Sequence, residues 1–323
     1  MNKLKVLDLF CGGGGFSRGF YEAGFEIVAG VEIDKEAALT YSYNFPKTKL
    51  YNEDIRKLPS NTFDKYQVDI IIGGPPCEGY TPINPKREKE PILRLYKDER
   101  GRLTLEYIRF LAHIKPKYFV MENVLQITEG HLKQALINEF KWAGYENIYF
   151  NVIRCEKYGL PSRRTRMFIS NFPIQEYFEK YERDKKTVWD AIKDLPIPYF
   201  PHEIENHFYV EVSKKLQKRI AKTPIGKSAL GFKVGNKTYW TYERLDPYKI
   251  SPTVRGTAKF IHPFENRILT VREHARLMSY PDYHVFLGGT NAQYNQVGES
   301  VPPLIAYKIA RLLKKIINKE VKV

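Results

Sequence analysis

One cysteine stands in a sequence setting that suits a nucleophile. Cys77 follows Gly73-Gly74-Pro75-Pro76, and this stretch comes directly after the mostly apolar run 68–72. Two prolines restrict the backbone, so the thiol would be held on a stiff loop beyond a buried strand. Such a thiol is better placed for nucleophilic attack than for core packing. The alternative is that Cys77 is only a small buried apolar residue.

Two further segments carry charged side chains that could assist a nucleophile. Glu122, in Met121-Glu122-Asn123-Val124, ends another apolar run, where loss of solvent could raise its pKa toward that of a general acid. A helix-capping Asn beside a solvated Glu is the alternative interpretation. Arg164 and Arg166 end the stretch 159–166, and alternation along a strand would direct both toward one site.

A glycine-rich turn indicates a bound cofactor. The sequence Asp8-Leu9-Phe10-Cys11 leads into Gly12–Gly15, and Glu32 ends the next apolar run. Glycines let the backbone approach a ligand, and a helix that follows offers free N–H groups. An acid at the end of the second strand commonly binds ribose hydroxyls. Several cofactor classes share this geometry, and a plain tight turn is the alternative. A phosphate-binding P-loop is excluded, since no Gly-Lys-Ser/Thr follows.

Each of these motifs follows a predicted strand. Strands are predicted at 6–10, 27–32, 68–72 and 117–122, and helices at 16–23, 104–114 and 304–317. This alternation predicts an α/β fold with a doubly wound, mostly parallel sheet, whose ligands lie at the carboxyl ends of the strands. The alternation fades after about residue 171. We therefore predict a first domain of residues 1–185, completed by 291–323, and a second, smaller domain of residues 186–290.

The charge of the chain favours a polyanionic partner. The 52 Lys and Arg residues outnumber the 37 Asp and Glu residues, which gives a formal net charge of +15. Residues 211–260 alone hold 12 basic and 3 acidic side chains, and basic residues there alternate with the aromatic stretch 239–242. Nucleic acid is the commonest partner of such a segment. A solvated lysine-rich surface, with the aromatics in a small core, would give the same pattern.

The cysteines and the first residues favour a reducing cytosol. Cys11, Cys77 and Cys155 form no CxxC pair, which disfavours structural zinc and a disulfide framework, and we predict no metal site. No window approaches the roughly 18 apolar residues of a membrane span. The apolar stretch after Met1 is too short for a signal peptide. We therefore predict a cytoplasmic protein without a membrane partner.

Taken in order, the motifs resemble those of the cytosine-C5 DNA methyltransferases over nearly the whole chain. The glycine-rich turn is similar to that family's S-adenosylmethionine loop, and Pro76-Cys77 to its catalytic Pro-Cys pair. Glu122-Asn123-Val124 matches the Glu-Asn-Val motif, and Arg164 and Arg166 match the arginines of Gln-x-Arg-x-Arg. Arg267–Glu273 with Arg276, and then Gln296–Val301, resemble the two closing motifs.

The resemblance implies S-adenosyl-L-methionine as the cofactor. Glu32 matches the acid that binds the ribose, and Asp54 matches the acid that contacts the adenine. The residues implied at the cofactor site are Asp8, Phe10, Cys11, Gly12, Gly13, Gly15, Glu32, Ile33, Asp54, Ile55, Pro76, Leu103, Ser300 and Val301.

The resemblance also implies methyl transfer to C5 of a cytosine flipped out of a specific duplex DNA sequence. Cys77 would add to C6, Glu122 would act near N3, and Arg166 would bind O2 with support from Arg164. The segment between Arg166 and Arg267 corresponds to the target-recognition region. Residues implied to contact DNA are Thr81, Lys233, Lys237, Arg244, Thr253 and Arg255. We expect a monomer of the prokaryotic cytosol or nucleoid. A cognate restriction endonuclease would act on the same DNA site without direct contact with this protein.

Six positions depart from the family pattern. Ser162 and Glu299 replace a Gln and an Asn, whereas Glu78, Tyr80 and Thr81 stand where Gln, Phe and Ser are usual, and Ile33 where a Trp may occur. None removes a catalytic group. Alternatives are a tRNA cytosine-C5 methyltransferase of the same superfamily, an inactive DNA-binding regulator and a dinucleotide-dependent oxidoreductase. The basic segment favours DNA over tRNA, and the oxidoreductase gives no reason for Cys77 or Arg166.

Overall fold

A seven-stranded sheet runs through the first domain, in the order β3-β2-β1-β4-β5-β7-β6. The computed structural model describes residues 3–82, 84–180, 185–234, 237–256 and 259–319. The strands are β1 (Lys5–Leu9), β2 (Glu26–Val31), β3 (Lys49–Tyr51), β4 (Ile70–Gly73), β5 (Tyr118–Asn123), β6 (Tyr149–Arg154) and β7 (Thr165–Ser170). Strands β1 to β5 are parallel, and β7 is antiparallel to both of its neighbours. The predicted α/β fold with a mostly parallel sheet is confirmed.

The central strands are continuous apolar runs because helices cover both faces of the sheet. Ile70 and Ile72 enter one core cluster and Ile71 enters the other, and all three are fully buried. A buried parallel strand requires such a run, since alternate side chains point into opposite cores. The four strands predicted from sequence agree with β1, β2, β4 and β5 to within two residues at each end.

Helices pack on both faces of this sheet. Those of the first domain are α1 (Gly15–Glu22), α2 (Lys35–Asn44), α3 (Pro91–Tyr96), α4 (Leu103–Ile114), α5 (Leu132–Trp142), α6 (Gln175–Glu179) and, from the end of the chain, α11 (Pro303–Ile317). Helices α1 and α11 contribute to one core cluster, and α4 and α5 to the other. A Cβ atom at Gly19 of α1 would collide with Ala306 Cβ of α11, so glycine permits their close approach. Within the described chain, every helix is too short or too polar to cross a bilayer.

A second, smaller unit contains a three-stranded sheet in the order β10-β9-β8. Its elements are α7 (Val188–Ile192), α8 (Lys214–Lys222), β8 (Ser228–Val234), β9 (Lys237–Arg244), β10 (Phe260–Ile261) and α9 (Val271–Leu277), followed by α10 (Thr290–Glu299). Tyr294 and Val297 of α10 are buried in the same cluster as Val188 and Leu277. The predicted domain limits remain a prediction, but α10, expected in the first domain, packs into the core of the smaller unit.

Candidate active site

The carboxyl ends of the parallel strands bring the predicted chemical groups to one edge of the sheet. The glycine turn follows β1, Glu32 follows β2, Cys77 follows β4, and Glu122 lies near the end of β5. Strand β1 lies between β2 and β4, and β5 is the next neighbour of β4, so these ends are adjacent. This is the edge at which parallel α/β sheets bind ligands.

The Cys77 thiol is held in a hydrogen-bonded turn and is protonated in the free protein. The backbone carbonyl of Cys77 accepts hydrogen bonds from Tyr80 N at 2.9 Å and from Thr81 N at 3.0 Å. Burial, and then the carboxylates of Glu122 and Glu78, raise the pKa of the Cys77 thiol to about 11, whereas Arg166 and Arg164 oppose the rise. A thiol with this pKa must lose its proton before it can act as a nucleophile.

Glu122 and Arg166 form an ion pair beside Cys77. Arg166 Nε lies 2.9 Å from Glu122 Oε1, and both side chains are largely shielded from solvent. The pair connects β5 to the antiparallel strand β7. A partly buried carboxylate and guanidinium that neutralise each other can present hydrogen-bonding groups to a polar ring without a net charge.

Arg164 supports the site from outside the ion pair. It precedes β7, and its guanidinium donates to the carbonyls of Gly298 at 3.0 Å and Ser300 at 2.7 Å. A weaker contact of 3.4 Å reaches the carbonyl of Val254. Burial lowers the pKa of Arg164 to about 10, which leaves it charged at neutral pH. Arg164 therefore joins its own segment to those around Val254 and Gly298, next to the crevice that contains Cys77 and the Glu122–Arg166 pair.

The glycine turn and Glu32 are joined by a hydrogen bond at the ends of β1 and β2, where the resemblance predicts the cofactor cleft. Glu32 Oε2 accepts from Gly12 N and Glu32 Oε1 accepts from Asp34 N, both at 2.8 Å. Gly12 has a φ of +52°, and, apart from its two chain neighbours, no atom of the described residues lies within 4 Å of the place where its Cβ would be. Phe10 also has a positive φ, of 62°, so the backbone turns sharply at the end of β1. A carboxylate fixed by two backbone donors still has lone pairs for hydroxyl groups of a ligand.

The closing motif packs against this turn. A Cβ atom on Gly15 would collide with Val301 O and would lie 3.2 Å from Ser300 Cβ, so the two segments are in close contact. Gln296 Oε1 lies 3.3 Å from the Cβ position of Gly13. Segments nearly 300 residues apart in sequence thus meet at the cofactor cleft predicted from the resemblance.

Other residues predicted at the cofactor site differ in accessibility. Ile33 is 64% exposed, whereas Ile55 is buried and the Cys11 side chain packs with Tyr41. Asp54 forms an ion pair with Arg56, with Oδ2 and Nη2 2.6 Å apart. Pro76 and Leu103 are half-buried.

Asp8 does not reach the cleft, which corrects the prediction that it contacts the cofactor. The residue is fully buried, and its Oδ2 accepts from Ser17 Oγ at 2.6 Å. Burial raises the pKa of Asp8 to about 7. Its role is to join β1 to α1 beneath the glycine turn.

The residues predicted to contact DNA occupy mixed positions. Lys233 is exposed on β8, and Thr81, Thr253 and Arg255 are half-buried. Lys237 begins β9, but its side chain lies outside the described part of the structure. Trp240 of β9 is 59% exposed, and its carbonyl accepts from Arg255 Nη2 at 3.4 Å. Lys233 on β8 and Trp240 on β9 are thus the most accessible of the side chains named here.

Arg244 is a structural residue, which corrects its assignment to DNA. The residue is only 6% exposed. Its guanidinium donates to the carbonyls of Ile220, Thr223, His262 and Glu265 and to Asn266 Oδ1, at 2.7 to 2.9 Å. All five N–H groups of an arginine are thereby used, so none remains for a phosphate.

Helix α8 carries positive charge that the sequence analysis did not assign to a particular element. Its five basic residues, Lys214, Lys215, Lys218, Arg219 and Lys222, are exposed, and none forms an ion pair with another described residue. The apolar side chains Leu216 and Ile220 anchor the opposite face. Five of the nine residues of α8 are basic, and the apolar residues Leu216 and Ile220 stand four positions apart among them. This pattern could have identified the charged face from the sequence.

His284 links the smaller unit to the glycine turn without any local sequence signal. Its Nδ1 accepts from Arg18 Nε at 3.2 Å, and its Nε2 donates to Gly13 O at 2.9 Å. Burial lowers the pKa of His284 well below its usual value, so the ring is neutral. Since 271 residues separate His284 from Gly13, only the folded structure reveals the contact.

Comparison with known proteins gives consistent results. A family model described as C-5 cytosine-specific DNA methylase matches residues 4–315. Two Methanocaldococcus jannaschii chains assigned by name as type II methyltransferases, M.MjaORF1200P and M.MJ0563P, are 44% and 42% identical over 97% of this chain and 98% and 99% of theirs. Type II methyltransferase M.DdeI of Desulfomicrobium norvegicum is 31% identical over 95% of this chain and 88% of its own.

Solved structures share the fold. An Escherichia coli prophage chain assigned as a DNA modification methyltransferase superposes with a TM-score of 0.78 and 27% identity, over 98% of this chain and 100% of its own. The Dnmt2 methyltransferase of S. pombe superposes with a TM-score of 0.69 and 18% identity over the same shares of the two chains.

Proposed function

The chain belongs to the C-5 cytosine-specific DNA methylase family, and we propose that it methylates C5 of a cytosine flipped out of duplex DNA through a covalent bond between Cys77 and C6. As a member of that family, it is a DNA cytosine methyltransferase. The observation that carries the proposed mechanism is the meeting of the Cys77 turn, the Glu122–Arg166 ion pair and the glycine turn at one sheet edge.

The glycine turn fits S-adenosyl-L-methionine. The open space beyond Gly12 allows a ligand to approach the backbone, and the fixed Glu32 carboxylate suits ribose hydroxyls. The exposed Ile33 side chain offers an apolar surface for the adenine. Ser300 and Val301 close the cleft from the other side. When bound there, the cofactor supplies the methyl group.

Cytosine C5 is a poor nucleophile, so a group that adds to C6 is required. The Cys77 thiol gives its proton to solvent, its sulfur bonds to C6, and the displaced electron pair is drawn toward N3. Glu122 stabilises the adduct by donating a proton or hydrogen bond to N3, and Arg166 binds O2. After C5 has gained the methyl group, it loses its proton to solvent and the sulfur–C6 bond breaks.

The charges around Cys77 explain why the thiol should react only with a bound base. In the free protein burial keeps the pKa of Cys77 at about 11, so the reactive thiolate is scarce. A cytosine in the crevice engages the Glu122–Arg166 pair, and its hydrogen bonds to Glu122 would weaken the carboxylate charge that raises the pKa of the Cys77 thiol. The thiolate is then favoured at the moment when its target is in place.

A duplex carrying 5-fluorocytosine at the target site tests the proposal. Fluorine cannot leave C5 as a cation, so elimination stalls after methyl transfer and the DNA stays bound to Cys77. The adduct should require S-adenosyl-L-methionine, survive denaturing electrophoresis and map to Cys77. It should be absent from Cys77→Ser and present in the control Cys155→Ala. Attachment elsewhere, or no adduct despite methylation of ordinary cytosine, would refute the mechanism.

A methyl-transfer assay with labelled S-adenosyl-L-methionine separates the alternatives. Transfer of labelled methyl groups to duplex DNA but not to tRNA supports the DNA enzyme, and the reverse result supports the tRNA enzyme. Binding of DNA without any transfer supports an inactive regulator. The likeness to type II methyltransferases supports a further proposal, that the protein acts as a cytoplasmic monomer whose methylation protects DNA from a restriction endonuclease of the same specificity.

A further inference from the structure

The turn that carries Cys77 is attached to the start of α4 by one buried hydroxyl. Tyr80 is fully buried, and its hydroxyl donates to Gly101 O at 2.9 Å. The Thr104 hydroxyl lies 3.0 Å from the Tyr80 hydroxyl oxygen. Because Tyr80 gives its own proton to Gly101 O, the Thr104 hydroxyl is the donor of this second hydrogen bond. Burial raises the pKa of Tyr80, so the phenol remains a neutral donor.

The backbone around this hydroxyl has no spare room. A Cβ atom on Gly79 would lie 2.7 Å from Gly101 N and 2.8 Å from Asp98 Oδ1. Asp98 Oδ1 also accepts from Gly101 N at 2.9 Å, which fixes the carbonyl that Tyr80 contacts. A shift of the Tyr80 side chain would therefore be transmitted to the turn rather than absorbed by a gap.

The turn is held on both sides of the cysteine. Before Cys77, the amide of Asn123 donates to Pro75 O at 3.0 Å. After it, Tyr80 N donates to Cys77 O at 2.9 Å, so the position of Tyr80 sets one hydrogen bond of the nucleophile's own peptide unit. The first attachment lies within the Glu-Asn-Val motif. The second is a backbone hydrogen bond, and the residue that donates it is anchored by a hydroxyl at a position where the family usually has phenylalanine.

We propose that Tyr80 is a positioning residue, whose hydroxyl fixes the Cys77 turn against α4 and so directs the thiol toward C6 of the flipped base. The inference rests on the proposed function, since it concerns the rate at which Cys77 forms its bond. Tyr80 touches neither base nor cofactor in this role. Its effect should appear in bond formation rather than in binding.

Tyr80→Phe removes the hydroxyl and leaves the ring in place. Trapping on 5-fluorocytosine duplex gives two quantities: the final fraction of trapped enzyme, which counts folded active molecules, and the rate constant of trapping. We expect the Tyr80→Phe rate constant to fall about two- to tenfold, the effect of one buried hydrogen bond, with the final fraction unchanged. KM for the cofactor and for DNA should stay within about twofold of the wild type.

Tyr145→Phe provides the matched control. Tyr145 belongs to the same apolar cluster, and its hydroxyl donates to Pro116 O at 3.0 Å, away from the Cys77 turn. This variant should lose comparable thermal stability and keep the wild-type trapping rate constant. A purely structural role for Tyr80 would make the two variants alike, with unchanged rate constants, and would overturn the inference.

Two further outcomes keep the test decisive. If Tyr80→Phe does not fold, Thr104→Val, which removes one hydrogen bond to the Tyr80 oxygen and keeps the tyrosine, takes its place. A slower trapping rate constant in Thr104→Val supports the inference, and a wild-type value overturns it. If the wild-type protein itself forms no Cys77 adduct, the proposed function fails. If the wild type forms the adduct at a normal rate and the variants form it equally fast, only the inference about Tyr80 fails.

Discussion

The free protein should protect Cys77 from alkylating reagents. Burial and the neighbouring carboxylates raise the pKa of the thiol from 9.0 to about 11. Each pKa unit changes the thiolate fraction tenfold, so at pH 7.5 only about 0.03% of Cys77 is thiolate. Iodoacetamide should therefore react with Cys77 about a hundredfold more slowly than with a thiol of pKa 9, and about tenfold faster with each pH unit up to pH 10.

Two charge variants should change this rate in opposite directions. Glu122→Gln removes the largest electrostatic cause of the raised pKa after burial and releases Arg166 from its ion pair, so alkylation should become faster. Arg166→Gln removes a group that lowers the pKa, so alkylation should become slower. Both variants should nevertheless lose methyl transfer, because each removes a group that binds the cytosine ring. Faster alkylation of the thiol together with lost methyl transfer, as expected for Glu122→Gln, is specific to this arrangement of charges around Cys77.

The measurement is peptide mass spectrometry after timed alkylation between pH 6 and pH 10. Cys11 and Cys155 serve as internal references, since both are buried and burial raises the pKa of each thiol. Wild-type Cys77 that reacts as fast as a free thiol would show that it is not shielded. Slower alkylation in Glu122→Gln would show that the carboxylate does not control the thiol.

Three other outcomes are expected. Replacing Lys214, Lys215 and Lys218 with glutamine should lower the slope of log K against log salt by about 0.9 for each phosphate that these lysines neutralise, and an unchanged slope would place α8 away from DNA. Arg244→Leu should lower the free energy of unfolding by about 3 kcal/mol, measured by denaturant titration, because several buried carbonyls lose their donor. Gly12→Ala should fold with a cost of about 1 kcal/mol at its positive φ and bind S-adenosyl-L-methionine more weakly in calorimetry, since its methyl group enters the cleft.

The sequence predicted the elements whose signals are local. The short apolar runs before Gly12 and Cys77, each ended by glycines, predicted buried strands, and the order of strands and glycines then placed both motifs at one sheet edge. The position of β7 between β5 and β6 was not predictable, because strand pairing depends on contacts far apart in sequence. Arg244 was misassigned for the same reason: its neighbours are basic and aromatic, whereas its partners are carbonyls 18 to 24 residues away.

The remaining site details depend on contacts that leave no pattern in the sequence. Asp8 looked like part of the cofactor motif, but its carboxylate faces Ser17 because α1 folds back over the strand. His284 reaches Gly13 because the segment after α9 lies against α1, where Arg18 Nε donates to the His284 ring. The Tyr80 hydroxyl stood out only as a departure from a motif, and its partners at Gly101 and Thr104 became visible once α4 was in place.

The packing of α11 against α1 has a consequence for synthesis of the protein on the ribosome. About 280 residues separate the end of α1 at Glu22 from the start of α11 at Pro303. At roughly 5–20 residues per second, the nascent chain would carry the uncovered apolar side of α1 for about 15 to 60 s. Phe16 and Phe20 belong to the cluster that α11 completes, so this surface is available to chaperones and to neighbouring chains during that interval. Helix α1 thus acquires its α11 partner late in synthesis, and a chain truncated before Pro303 would keep that apolar surface exposed.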